Sequence, residues 1–146
     1  MIRNQILLFL IPIVVSIITE AIKFANYCRK YGWDIRYSIT YGHMPSAHTA
    51  FVMSLVTTVA LIDGFTTTSF AIALSLAIIV IGDALRLRVY MGDQAKFLNE
   101  LSKELHLNET KFPRLKERVG HKPKEVAVGA FVGIFLTLLL FALSGV

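Results

Sequence analysis

Two short polar clusters in this sequence each stand directly before an apolar segment. The first is Gly-His-Met-Pro-Ser-Ala-His-Thr at residues 42–49, and the second is Gly-His-Lys-Pro-Lys-Glu at residues 120–125. In both, the proline suits the first position of a helix, where its missing N–H group is no loss. The free amides and the positive end of the helix dipole then lie beside a hydroxyl or an imidazole group. These groups predict a binding site for a phosphate-like anion.

The residue types in and around the clusters could also cleave a phosphate ester. That chemistry needs cations for the phosphate oxygens, a nucleophile, and an acid for the leaving oxygen. The candidate cations are Lys23, Arg86 and Arg88. His48 is the candidate acid. His121 and Glu125 are four residues apart, so they share a face if the last apolar helix extends back to His121. The carboxylate would then fix the tautomer of the imidazole.

The composition indicates that these residues belong to a membrane protein. The chain of 146 residues is 55% hydrophobic and 17% charged, which is more apolar than ordinary soluble domains. Its apolar segments cover approximately residues 5–22, 45–62, 66–82 and 126–146. Since a spanning helix needs about 20 such residues, we predict an all-α integral membrane protein with about four transmembrane helices. The first segment could instead be a cleaved signal peptide, although no small-residue cleavage pattern follows it.

Polar stretches connect the predicted spans. Residues 24–44 mix basic and aromatic side chains, as is typical of a membrane interface. Within residues 92–124, four residues at helical spacing predict an amphipathic helix on the membrane surface; they are Gln94, Leu98, Leu101 and Leu105. Residues 108–113 are predicted to form a turn, and residues 114–119 one or two helical turns that Gly120 ends.

Connectivity places the candidate residues on one side of the membrane. With four spans, the first and third loops share a side, and so do Lys23, His48, residues 83–88 and residues 121–125. These two loops carry nearly all of the Lys and Arg residues, whereas the turn at residues 63–64 carries none. The tendency of basic loops to stay inside the cell predicts that the site faces the cytoplasm and that both chain ends lie outside.

Several features are interpreted as structural. The formal charge of +5 resides in the loops, which favours anionic lipid headgroups over nucleic acid as partners. Glu20 is interpreted as reaching the interface from inside the membrane. Gly129 and Gly133 form a small-xxx-small pair, which is used in close helix packing within the chain or between copies of it. The single Cys28 excludes an intramolecular disulfide, and a homo-oligomer remains open.

The three motifs together resemble a divergent branch of small membrane proteins in the phosphatidic acid phosphatase type 2 and vanadium haloperoxidase superfamily. The branch pattern is Gly-Gly-Met-Pro-Ser-Ser-His-Ser-Ala, then Asp-Ala with a following Arg and Gly-x-Gln-Ala, then Gly-His-Thr-Pro-x-Glu-Val with a following Gly. The matching residues here are Gly42, Met44, Pro45, Ser46, His48 and Ala50; Asp83, Ala84, Arg88, Gly92, Gln94 and Ala95; and Gly120, His121, Pro123, Glu125, Val126 and Gly129.

The resemblance implies one membrane-embedded, phosphatase-like domain over residues 1–146 that hydrolyses a lipid or isoprenoid phosphate. It implies a phosphohistidine intermediate on His121, with His48 as the acid and Glu125 in place of the family's usual Asp. The implied phosphate-binding residues are Lys23, Ser46, Ala47, Arg88 and Arg86, and the implied supporting residues are Asp83 and Gln94. No metal or other cofactor is implied, and the implied partners are a phosphorylated lipid and membrane lipids.

The chain also departs from the better studied members of the superfamily. Leu115 stands where they have an Arg six residues before the nucleophilic His, Ala47 replaces the Gly of their Pro-Ser-Gly-His motif, and His43 replaces a glycine of the branch. A non-catalytic protein that binds phosphorylated headgroups in the same pocket is therefore the alternative. Two more alternatives are a metal site on the two histidines with Glu125 or Asp83, and a transporter subunit.

Overall fold

The computed structural model describes residues 2–32, 44–117 and 119–145, and all regular structure within these ranges is helical. The elements in order are α1 (Ile2–Tyr31), α2 (Ala47–Ile62), α3 (Thr68–Gly82), a π-helical segment (Asp83–Leu87), α4 (Arg88–Glu104) and α5 (Pro123–Leu143). The predicted all-α membrane class is confirmed. Most of the predicted aromatic interface loop, with Gly42 and His43, lies outside the described residues, and so does Arg118.

The helices differ from one another in length more than the predicted spans do. Three helical stretches are long and apolar enough to cross a membrane, whereas α2 is a shorter apolar helix. Its 16 residues span about 24 Å, against about 30 Å for the hydrocarbon core of a bilayer. The first helix continues well past the predicted end at residue 22. It ends only at Gly32, which has φ +84° and donates its N–H to the Cys28 carbonyl, as a left-handed glycine at a helix end does.

The short helix α2 lies at the centre of the bundle, in contact with α1, α3 and α5. On one side, Val52, Val56 and Val59 pack against two alanines of α3, Ala73 and Ala77. The small alanine side chains allow the two antiparallel helices to approach closely. The other sides of α2 meet α1 and α5, so α2 is the element that α1, α3 and α5 surround.

Glycines make the contact between α2 and α5 close. A Cβ atom on Gly129 would collide with the Ser46 carbonyl, and one on Gly133 would collide with the Ala50 carbonyl. One turn further along α5, the Thr137 and Ser54 hydroxyl groups lie 2.6 Å apart in a hydrogen bond between the helices. The small-xxx-small pair is therefore used inside the chain, to seat α5 on the backbone of α2.

The third span does not end where the sequence predicted. The helical stretch Thr68–Glu104 is continuous over 37 residues, about 55 Å, because the π-helical segment joins α3 to α4 without a break. The predicted amphipathic helix is thus the second half of this rod rather than a separate element. Its exposed apolar residues include Tyr90, Met91, Phe97, Leu98 and Leu101.

The chain then turns back along α4 through residues 105–122, here called the return segment. The predicted turn at residues 108–113 is confirmed, since the Asn108 carbonyl accepts N–H groups from Lys111 and Phe112. The helical turns predicted for residues 114–119 are wrong, because the described residues there are not helical. The backbone N–H and C=O of Leu115 instead bond to the side chain of Asn99, which meets the hydrogen-bonding need that a helix would otherwise meet.

Candidate functional site

His121 is buried against the N-terminal end of α5. Its Nδ1 lies 3.0 Å from Oε2 of Glu125, and its side chain is only 7% exposed. A carboxylate can only accept a hydrogen bond, so we assign the proton to Nδ1, which leaves the Nε2 lone pair free. The predicted contact between the two residues exists, but its geometry differs from the prediction. His121 precedes the helix, which begins at Pro123, and Glu125 reaches back from the third helical position.

Glu125 also organises the start of α5. The same Oε2 atom accepts the backbone N–H of Lys122 at 3.1 Å, as a carboxylate at this position does in a capping arrangement. The helix therefore holds Glu125 in place, and Glu125 in turn holds His121. Pro123 occupies the first position of α5, as predicted from its missing N–H group.

The N-terminal end of α2 contributes a second set of polar groups. Ser46 is the N-cap residue, and its Oγ accepts hydrogen bonds from the N–H and Oγ1 of Thr49, at 3.4 Å and 3.0 Å. Pro45 consequently lies one residue before the cap rather than at the first helical position, because Ser46 supplies the capping oxygen. Ser46 and Ala47 are buried, whereas His48 is exposed.

A backbone hydrogen bond ties the two helix starts together. The N–H of Ser46 donates to the carbonyl of Glu125 at 3.2 Å, beside the close approach of Gly129 to Ser46. The first and third predicted motifs are therefore adjacent in space, although almost 80 residues separate them in the chain. The free amides in the first turn of α2 face the same region as the start of α5.

The π-helical segment adds a cation and attaches the return segment. Arg88 Nε donates to Asp83 Oδ2 at 2.7 Å, a contact between residues five apart that a π-helical turn brings into line. Among the described residues, Arg88 uses only Nε in this pair, which leaves its two amino groups for a ligand. The carbonyl of Ala84, in the same segment, accepts the backbone N–H of His121 at 3.1 Å.

Lys23 reaches the site from α1 in an ion pair. Its Nζ lies 2.9 Å from Glu20 Oε2 and 3.1 Å from Oε1, and its side chain is only 13% exposed. His48 is within electrostatic range of four groups of this region, which are those of Arg88, His121, Glu20 and Lys23. All four predicted clusters thus contribute a residue to one region of the structure.

Other candidate residues do not join this region by any contact. Arg86 and Gln94 are exposed, and within the described part of the chain their side chains form no hydrogen bond or ion pair. Leu115 lies in the return segment, held by Asn99. Arg114 does not replace the Arg that is absent at position 115, because it pairs with Glu117 at 3.1 Å and its side chain is 77% exposed.

Sequence reasoning missed or misread several residues. Glu20, interpreted as an interfacial side chain, also forms an ion pair with Lys23 that was not predicted; its spacing of three from Lys23 was the available signal. Nothing in the sequence indicated a role for Thr49 or Asn99. Thr49 bonds to the N-cap residue of α2, and Asn99 bonds to residues 16 and 18 positions later in the chain. Among the described residues, no cluster of three or more potential metal ligands occurs, so the metal alternative lacks a third ligand there.

Comparison with known proteins places the chain in a family. The family model described as "Divergent PAP2 family" matches residues 2–136. The uncharacterized membrane protein YuiD of Bacillus subtilis (strain 168) is 40% identical over 124 residues, which cover 77% of each of the two chains. No solved structure gives a significant match. Because the family model matches nearly the whole length of the chain, the chain belongs to the divergent PAP2 family of membrane proteins.

Proposed function

We propose that the protein is a metal-independent phosphatase that removes the phosphate group of a lipid or isoprenoid phosphate at the membrane surface. The observation that carries this proposal is the 3.0 Å contact between His121 Nδ1 and Glu125 Oε2. It leaves Nε2 as the unprotonated nitrogen in a region that also contains Arg88, Lys23 and His48. A buried imidazole oriented by a carboxylate is an arrangement suited to nucleophilic catalysis.

The reaction has two steps that share the same residues. In the first, Nε2 of His121 attacks the phosphorus atom, the bond from phosphorus to the lipid oxygen breaks, and His48 gives a proton to that oxygen. In the second, water attacks the phosphohistidine, His48 takes a proton from the water, and the P–N bond breaks. Inorganic phosphate leaves, and both histidines return to their starting states.

Phosphate oxygens are held by cations and by donors at the start of α2. The amino groups of Arg88 and the ammonium group of Lys23 neutralise the charge that develops on them. Lys23 exchanges part of its contact with Glu20 for the phosphate. The Ala47 amide and the Ser46 hydroxyl hydrogen supply neutral donors, as the N-terminal end of a helix does for anions.

Membership in a membrane-protein family, together with the position of these groups at helix ends, supports a lipid substrate. The apolar tail would stay in the bilayer while the phosphate reached the site at the interface. We further propose that the site faces the cytoplasm, because the basic loops lie on its side.

The test is phosphate release by the purified protein from a panel of lipid phosphates with a metal chelator present. The variants are His121→Ala and His48→Ala, with Glu100→Ala as a control at an exposed position that has no role in the proposed site. Wild type is expected to hydrolyse one lipid class, His121→Ala to be inactive, and His48→Ala to be slowed on the order of 10²-fold or more. Acid-labile, base-stable phosphate on the wild type but not on His121→Ala would identify the intermediate. Equal activity of wild type and His121→Ala would contradict the proposal.

One observation favours the second candidate, a non-catalytic protein that binds phosphorylated headgroups. Position 115 carries Leu instead of a phosphate-binding Arg, and Arg114 is engaged with Glu117. Loss of one such ligand costs on the order of 10²-fold or more in rate. Binding of vanadate or lipid phosphate without any phosphate release from the panel would establish the binding function in place of the enzyme.

A further inference from the structure

We propose that Asn99 is a positioning residue for His121, acting through the return segment. The activity part of this inference rests on the proposed phosphatase function, whereas the structural part does not. Asn99 lies on α4, outside all three motifs that resemble the family pattern. Its hydrogen bonds hold the part of the return segment that leads to His121.

The side chain of Asn99 makes three hydrogen bonds to residues 16 or 18 positions later in the chain. Its Nδ2 donates to the Leu115 carbonyl and to Glu117 Oε1, each at 2.9 Å, and its Oδ1 accepts the Leu115 N–H at 2.9 Å. Both the donor and the acceptor ends of the amide are therefore used. No other residue type offers this pair of groups on a side chain of the same length.

Between Asn99 and the site, the backbone of the return segment comes close to the backbone of the rod at two further places. A Cβ atom on Gly92 would collide with the Glu117 carbonyl, and one on Gly120 would meet Arg88 and Val89 backbone atoms at 3.0 to 3.2 Å. Gly120 also has φ +101°, a conformation that glycine adopts readily. The return segment thus lies against one face of the rod, fixed at Leu115, at Glu117 and at Gly120.

The next residue is His121, whose N–H donates to the Ala84 carbonyl. Holding the return segment at Asn99 therefore determines where His121 lies relative to the other residues of the site. Displacement of a catalytic group by about 1 Å can cost on the order of 10²-fold in rate. Asn99 needs no contact with the substrate to have such an effect.

The experiment compares Asn99→Ala with Glu100→Ala, the adjacent position, whose ion pair within the described part of the chain is a surface contact of 3.9 Å with Lys96. Amide hydrogen exchange is the first measurement, because it does not depend on activity. In Asn99→Ala, protection is expected to fall at Leu115 and His121 but to persist at Thr137 inside α5. In Glu100→Ala, protection at all three amides is expected to match wild type. The second measurement is phosphate release, where Asn99→Ala should lower kcat at least tenfold with less than a threefold change in KM.

An exchange of charge provides a rescue that a purely structural loss would not show. Asn99→Asp alone places two carboxylates against each other, and adding Glu117→Gln restores an amide facing a carboxylate. The double variant should regain the part of the His121 protection, and of kcat, that depends on the contact between positions 99 and 117, while the Leu115 carbonyl still lacks its donor.

Each remaining outcome is decisive. Loss of protection at Leu115 without any change at His121 would overturn the inference, as would a double variant no better than Asn99→Asp. If Asn99→Ala loses protection from amide exchange at all three positions, the comparison of Asn99→Asp with the double variant decides whether the inference holds. If wild type releases no phosphate, the proposed function fails while the exchange measurements still decide the role of Asn99.

Discussion

At the residue scale, one oxygen atom of Glu125 accepts two hydrogen bonds, one from the His121 ring and one from the Lys122 backbone. The first orients the imidazole and the second caps the helix. A change that keeps the shape but removes the charge can separate these two effects. The sequence predicted the pairing from the spacing of four, but it could not predict the capping geometry, because the start of α5 depends on contacts with α2 and the π-helical segment.

Replacing Glu125 by Gln should lower kcat on the order of 10²-fold or more. The amide can still accept one of the two hydrogen bonds, but it no longer stabilises a positive imidazole, and its NH₂ group can favour the wrong tautomer of His121. Helix content by circular dichroism should remain that of wild type. Full activity in Glu125→Gln would show that the hydrogen bond between His121 and Glu125 is structural only.

Glu117 makes the stability of the return segment depend on pH, and the direction of that dependence follows from its pKa. The hydrogen bond from Asn99, followed by that from Arg114, lowers the pKa of the Glu117 carboxyl group. A lowered pKa in the folded state means that this stabilisation is present above the unfolded pKa and is lost as the pH falls through the folded pKa. Asn99→Ala should therefore raise the pKa of Glu117, as measured by carbon-13 NMR titration of the side-chain carboxyl. An unchanged pKa would contradict the contact.

At the element scale, apolar runs predicted most of the helices, and tertiary contacts decided the rest. The sequence located α2, α3 and α5 to within a few residues, because long apolar runs between polar turns are strong signals. It missed the continuity of α3 with α4, since nothing in the residues from Asp83 to Leu87 marks a π-helical turn. It also misassigned residues 114–119, where the Asn99 side chain replaces local helical hydrogen bonds.

The close approach of α5 to α2 predicts a large difference between two glycine substitutions. Gly133→Ala should destabilise the protein by about 1–3 kcal/mol, because the added methyl group collides with the Ala50 carbonyl and must displace backbone. Gly82→Ala is the matched control in a helix, since no atom lies within 4 Å of its added Cβ. It should be neutral or slightly stabilising. Thermal unfolding in detergent measures both, and equal unfolding temperatures would contradict the contact.

At the scale of the whole molecule, a crossing of the membrane by α2 as well as by the three longer helical stretches would place the turn after α2 and the return segment on opposite sides. In a Cys28→Ser background, Asp63→Cys and Glu109→Cys should react with a membrane-impermeant maleimide from opposite faces. Asp63→Cys should be labelled on intact cells, whereas Glu109→Cys should need broken cells. Labelling of both positions from one face would mean that the central helix α2, with its 16 residues, does not cross.

The unbroken rod from Thr68 to Glu104 has a consequence for how the protein responds to its lipid surroundings. A long apolar helix adapts to a thinner bilayer by tilting. Because the Ala84 carbonyl on this rod accepts the His121 N–H, a tilt of the rod moves the histidine relative to the end of α2. We therefore expect the acyl-chain length of the host membrane to change the distance between His121 and His48.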